Sequence, residues 1–291
     1  MFKKYRYLFS LLLIFSLNVD AKSLLYKVTS EDSTVYILGS IHLAKPELYP
    51  LDEEIRKAYN KSDVLVVELD PSSAETMHVM QNSILNSGMY PRGKNLKTEL
   101  SSKTYKLLKE YMQKTGIPLS SMMKMRPWVV MLQLSITEMM RLGYSPELGI
   151  DKHFLDQAKA ENKRVLSLET AQKQMALLSK DDKQFQDRLL FYTLESMHEM
   201  EPMLDKMFSS WKVGEAKAFD KIMSMPLTTD PSLKDIYNDL IIKRNYTMTK
   251  KIEHFLKSKK NYFVVVGAGH VVGKEGIISL LKGSSYKVAQ Q

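Results

Sequence analysis

The sequence predicts an α/β protein: a central mixed β-sheet built from N- and C-terminal β/α segments, with a large helical insertion at about 72–240. Three observations point there. Short apolar runs, VLVVEL at 64–69 and YFVVV at 262–266, read as strands buried on both faces. Between them the hydrophobic pattern changes to the 3.6-residue period of helices. A strand running into Gly-x-x-His occurs near each end, at 39–42 and again at 267–270.

The elements follow in order. Residues 24–28 (LLYKV) and 34–38 (TVYIL) form a hairpin across the polar cluster 30–33. Residues 52–61 open with acids and close on Asn60-Lys61, which suits a helix. The strand 64–69 follows, its apolar run broken by Glu68. Helical periodicity then covers 100–115, 128–142 (stopped by Gly143) and 151–162, with a short strand at 165–168. A long helical stretch at 184–211 is interrupted near Pro202, and 235–257 is helical again. After the strand 262–266 come a short helix at 276–282 and a closing strand at 286–288.

The first 21 residues read as a secretory signal peptide cleaved after Ala21. Lys3, Lys4 and Arg6 precede a 12-residue apolar run at 8–19, shorter than the ~20 residues of a spanning helix. An uncleaved interfacial anchor is the alternative. Residues 22–291 then form a single domain, and export to a bacterial periplasm is expected. The absence of cysteine excludes a disulfide scaffold, a thiolate zinc site and a cysteine nucleophile. With 44% hydrophobic and 26% charged residues the chain is a folded, not a disordered, one. Removing the leader (Lys3, Lys4, Arg6, Asp20) takes the net charge from +9 to +7. Such a surface favours anionic envelope components or acidic substrates. The lysines are scattered, without the arginine stripe and interleaved aromatics of a nucleic-acid binder.

His42 and His270 stand just past matching strand ends, where an open α/β sheet binds ligands. An imidazole there can ligate a metal or act as general base, or simply cap the following turn. Glu68 is costly to bury without a cation or hydrogen-bonding partner; an ion pair with Arg244 is the structural alternative. Asp70 suits a turn cap before Pro71. Glu169 ends the strand 165–168, with Gln174 five residues on. Arg244-Asn245 precedes the last long strand, and Arg244 could clamp an anion or orient a carboxylate. The Met-rich segment 197–207 has helical core spacing, which favours packing over a copper site.

ILGSIH at 37–42, Val67-Glu68, Gly149-Ile150-Asp151, Leu168-Glu169-Thr170, Arg244-Asn245 and VGAGHVVG at 266–273 occur in the order seen in the TraB/PrgY/GumN family. The chain resembles a bacterial exported GumN-type member of that family, which includes the Tiki metalloproteases that cleave Wnt proteins. The resemblance spans nearly all of the mature chain. It implies a site of the two Gly-x-x-His histidines and the early glutamate, and divalent-metal-dependent peptide hydrolysis. On that basis His42 and His270 are expected to hold a Mn, Co or Zn ion, with Glu68 as third ligand or general base. Arg244 would stabilise an oxyanion or position Glu68, and Glu169 and Asn245 would support the site or meet substrate. The rival expectation is a non-catalytic envelope protein binding a peptide signal, haem or a polysaccharide intermediate at the same rim.

Overall fold

A computed structural model describes residues 23–291; the expected leader lies outside the described residues. Six strands form one mixed sheet: β1 (Leu25–Thr29), β2 (Thr34–Ser40), β3 (Val64–Val67), β4 (Arg164–Ser167), β5 (Tyr262–Gly267) and β6 (Lys287–Gln290). Their order is β4-β3-β5-β2-β1-β6. β4, β3, β5 and β2 run parallel, and β1 is antiparallel to both β2 and β6. Two N-terminal strands therefore flank a C-terminal one: Leu38 pairs with Val265, and Val265 in turn with Val67.

The continuous apolar runs are explained by helices on both faces. All four residues of β3 are buried. Leu65 and Val67 pack with Phe263 and Val265 against Ile55, Tyr59, Phe154 and Ala158, which belong to the helices Glu53–Asn60 and Ile150–Ala160. Val64 and Val66 face the opposite way, with Val264, Val266, Met248, Ile252 and Leu281 from the helices Lys243–Leu256 and Ile277–Gly283. On the first face the Tyr59, Phe154 and Phe263 rings lie 4.8–5.6 Å apart, centroid to centroid. Each such pair contributes about 0.5–1.5 kcal/mol beyond its buried area.

The predicted helical insertion supplies β4 and the helix Ile150–Ala160 to this sandwich. Trp211 and Phe219, from the later helices Met200–Lys212 and Ala216–Thr229, join the same face; a separate apolar cluster forms where Leu108, Val130, Leu134 and Leu190 join Ser102–Thr115, Pro127–Arg141 and Lys183–Ser196. The long stretch breaks ahead of Pro202, at a 3-10 turn over Met197–Glu199. Pro202 then sits in the first turn of Met200–Lys212, where its missing N–H costs no hydrogen bond. Before the last long helix the chain makes a π-helical segment, Asn238–Ile242. That wider turn leads directly into Arg244. Asp70 caps the turn after β3, accepting from the Ser72 N–H at 2.9 Å and its hydroxyl at 2.7 Å.

Candidate active site

The four parallel strands end on one rim, and each delivers a polar side chain there. β2 leads to His42, β3 to Glu68, β4 through Leu168 to Glu169, and β5 to His270. The pairing of Ser40 with Gly267 sets the two histidine turns side by side. Glu68 joins them because its N–H donates to the Val265 carbonyl at 3.2 Å, which extends the β3–β5 ladder.

Gly267 lies at the centre. A Cβ placed on it would be 3.4 Å from His42 Nε2, 3.6 Å from Glu68 Oε2 and 3.6 Å from His270 Cδ2. Three candidate residues thus surround one point that glycine leaves open. Its N–H donates to Glu68 Oε2 at 3.3 Å.

Both imidazoles are held through Nδ1. His42 Nδ1 meets Asp151 Oδ2 at 2.8 Å, and the Ser40 hydroxyl donates to Asp151 Oδ1 at 3.0 Å. Asp151 is brought there because the Ile150 N–H donates to the Ile41 carbonyl at 3.0 Å. The Asp151 charge pushes the His42 pKa up to about 9, against the opposing effect of burial. The His42 ring is nonetheless 59% exposed, so it forms the open side of the site. His270 is buried. Its Nδ1 donates to Asn245 Oδ1 at 2.7 Å, while Asn245 Nδ2 donates to the Glu275 carbonyl at 2.8 Å. That second bond fixes which way the amide faces, so the His270 proton belongs on Nδ1 and Nε2 carries the lone pair. Burial lowers the His270 pKa to about 4, and the ring is neutral at ordinary pH.

Behind the histidines Arg244 lies between two buried carboxylates. Its Nη2 donates to both Glu68 Oε1 and Glu169 Oε2, its Nε to Glu169 at 3.0 Å, and its Nη1 to the Leu240 carbonyl at 2.9 Å. Gln174 Nε2 bridges the same two acids, at 2.9 Å from Glu68 Oε1 and 3.0 Å from Glu169 Oε2. Glu68 is therefore tied down through Oε1, while Oε2 faces His270 Nε2 at 3.7 Å. Burial opposes its charge, but the Arg244 and His42 cations and the Gly267 N–H hold its carboxyl below the usual range. The ion pair with Arg244 and a role at the rim are thus compatible, since they use different oxygens.

Two imidazole Nε2 atoms and one carboxylate oxygen are, in kind, a donor set for a divalent ion. His270 Nε2 and Glu68 Oε2 stand 3.7 Å apart, against about 3.4 Å for two tetrahedral ligands at zinc distances. Among the described residues no three His, Asp or Glu side chains are grouped closely enough to hold an ion.

Sequence reasoning brought forward His42, Glu68, Glu169, Arg244, Asn245 and His270, and the structure gathers all six in one linked cluster. It placed Asp151 and Ser40 within the family motifs but gave neither a role, and it gave Gln174 no partner. Asp151 sits in the first turn of its helix, where an acid reads as a complement to the helix dipole. Its position directly after Gly149-Ile150 was the available signal. A side chain on Gly149 would run into the His42 carbonyl.

A mixed α/β sheet with paired histidines and carboxylates at its parallel strand ends defines the class. The chain belongs to the TraB/PrgY/gumN family, whose model matches residues 24–290. It is 29% identical over 250 residues to the uncharacterized protein YbaP of Escherichia coli (strain K12), covering 85% of this chain and 87% of YbaP. It is 25% identical over 309 residues to a protein named Metalloprotease TIKI homolog in Nematostella vectensis, covering 87% of this chain and 64% of that protein. With Metalloprotease TIKI1 of Xenopus tropicalis the identity is 22%, over 88% of this chain and 59% of the relative. The chain thus spans about three-fifths of the length of these two TIKI proteins. No solved structure matches it.

Proposed function

We propose that this protein is a divalent-metal-dependent hydrolase of the bacterial envelope that cleaves peptide bonds. The observation that carries the reading is the convergence of His42 Nε2, Glu68 Oε2 and His270 on the point beside Gly267. Distant relatives named as metalloproteases support the reaction class.

His42 and His270 would hold the ion through Nε2, with Glu68 Oε2 as a third ligand or as the base beside it. A Mn, Co or Zn ion bound there supplies a water acidified enough to attack a carbonyl at neutral pH. The protein's own groups prepare this chemistry. Asp151 and Asn245 each engage Nδ1, which orients the ring and leaves Nε2 facing inward. Arg244 and Gln174 hold Glu68 by Oε1, and Oε2, which accepts from the Gly267 N–H, keeps a lone pair toward the site that can accept a proton. Arg244 is itself committed to two carboxylates and a carbonyl, which supports the positioning role over direct oxyanion contact. Substrate would enter beside the exposed His42 ring.

The test is metal analysis of wild type, His42→Ala and His270→Ala, alongside chelator-sensitive turnover of casein and quenched fluorogenic peptides. About one equivalent of divalent metal and chelator-sensitive turnover in the wild type, both lost in each variant, is the expected result. Equal metal content and equal activity in all three proteins would sink the reading. A Soret band on haem titration, lost in either variant, would favour the binding-protein alternative.

A further inference from the structure

The helix Ala216–Thr229 touches the site and also walls a separate groove. On the site side, Met223 Cε lies 2.9 Å from where a Cβ on Gly269 would stand. Asp220 packs against Gly273, whose φ of +88° suits glycine. Both contacts bear on the turn that carries His270. Ile222 and Met225 of the same helix close a cavity of about 500 Å³ against Lys183–Ser196 and Met200–Lys212. Leu189 and Met203 contribute to its apolar lining. Methionines in such a lining can re-pack around different apolar side chains.

The charge of the groove runs against that of the protein. The whole chain has 42 Lys and Arg against 33 Asp and Glu. The groove's lining residues include Glu195, His198 and Glu199 and no Lys or Arg. Both glutamates are exposed. An apolar floor with an acidic rim complements a segment that is apolar on one face and cationic on the other.

We propose that this groove docks a basic amphipathic peptide segment. Its apolar side chains would lie on Met203, Ile222 and Met225, and its Lys or Arg side chains would face Glu195 and Glu199. The inference needs no metal and does not rest on the hydrolase reading.

Fluorescence anisotropy tests it, with a labelled synthetic helical peptide bearing leucines on one face and lysines on the other. The control peptide replaces each lysine by glutamate. The lysine peptide binds saturably at one per chain, and the glutamate peptide binds at least about tenfold more weakly. The double variant Glu195→Lys/Glu199→Lys, altered only at exposed positions, keeps its circular dichroism and loses about tenfold in affinity for the lysine peptide. Met225, 49% exposed, tolerates Met225→Asp without unfolding, and that variant loses binding too. The His42→Ala/His270→Ala protein binds the peptide as wild type does, which separates this result from any failure of the hydrolase reading. Equal affinity for the two peptides, or full affinity in the groove variants, overturns the proposal. A dimer in light scattering that Met225→Asp dissociates would assign the groove to a second copy, and vesicle binding that the peptide fails to displace would assign it to a membrane. Either outcome also overturns it.

Discussion

Replacing Arg244 by methionine removes the cation between Glu68 and Glu169 while keeping much of the side-chain length. The carboxylates left behind are 11% and 6% exposed, so water can replace little of what is lost. Deleting one partner of a buried ion pair costs about 3–5 kcal/mol, because the remaining charge stays buried without compensation. That is a large part of the ~5–15 kcal/mol that stabilises a typical domain. The loss also has a pH signature. In the wild type burial opposes the Glu68 charge, and Arg244, His42 and the Gly267 N–H overcome it, so the folded-state pKa lies below the ordinary value. Such a group stabilises the fold above its unfolded pKa, and the benefit fades as pH falls through the folded one. Without Arg244, burial gains the upper hand and the Glu68 carboxyl shifts upward. The variant then recovers part of its deficit as protons bind. Urea denaturation of both proteins at about pH 7.5 and about pH 5 reads this directly. The expected deficit is about 3–5 kcal/mol at the higher pH and clearly smaller at the lower. Adding Glu169→Gln to Arg244→Met should recover about 1 kcal/mol or more, since one buried charge is then gone. A deficit below about 1 kcal/mol, or one identical at both pH values, would refute the picture of a buried, mutually dependent charge cluster.

Three further outcomes are expected. Gly267 has φ −49° and ψ 134°, which alanine adopts without strain; Gly267→Ala should therefore change stability by less than about 1 kcal/mol yet abolish metal retention and turnover, as its methyl takes the point the donors share. The raised His42 pKa stabilises the fold fully below pH 6.5, and that contribution is lost as pH rises through about 9. With the ring 59% exposed the effect is under about 1 kcal/mol, and Asp151→Asn should flatten the fall of the urea midpoint across that window. Asn245→Leu removes the acceptor that fixes the His270 tautomer and should weaken divalent-metal affinity by about 10- to 100-fold in equilibrium dialysis, with Asn245→Asp restoring part of it.

The sheet was legible because burial on both faces leaves an unmistakable mark: β3 and β5 are runs of consecutive apolar residues. The repeated strand-then-histidine context pointed to the rim, and Glu68 stood out as an acid within an apolar run. The helix Ala74–Ser87 escaped notice for the opposite reason. Met77, Ile84 and Leu85 on it are 46%, 43% and 73% exposed and Thr76 is its buried residue, so its apolar positions do not trace a buried stripe. Asp151 lies 109 residues from His42, and no local pattern links them. The π-helical turn before Arg244 has no signature in composition, although it decides where the guanidinium lies.

The place of β5 in the sheet has a consequence for synthesis. The strand that occupies the middle of the parallel set is the fifth to emerge, and the segments on either side of it come from the beginning of the chain. Until residues 262–267 are available, β2 and β3 have no common partner and their apolar edges stay unpaired. A chain still being made cannot assemble the histidine and carboxylate rim piecemeal. Long-range closure of this kind is slow and leaves strand edges exposed to aggregation meanwhile, so truncation anywhere before β5 should yield a product that chaperones and proteases handle as unfolded.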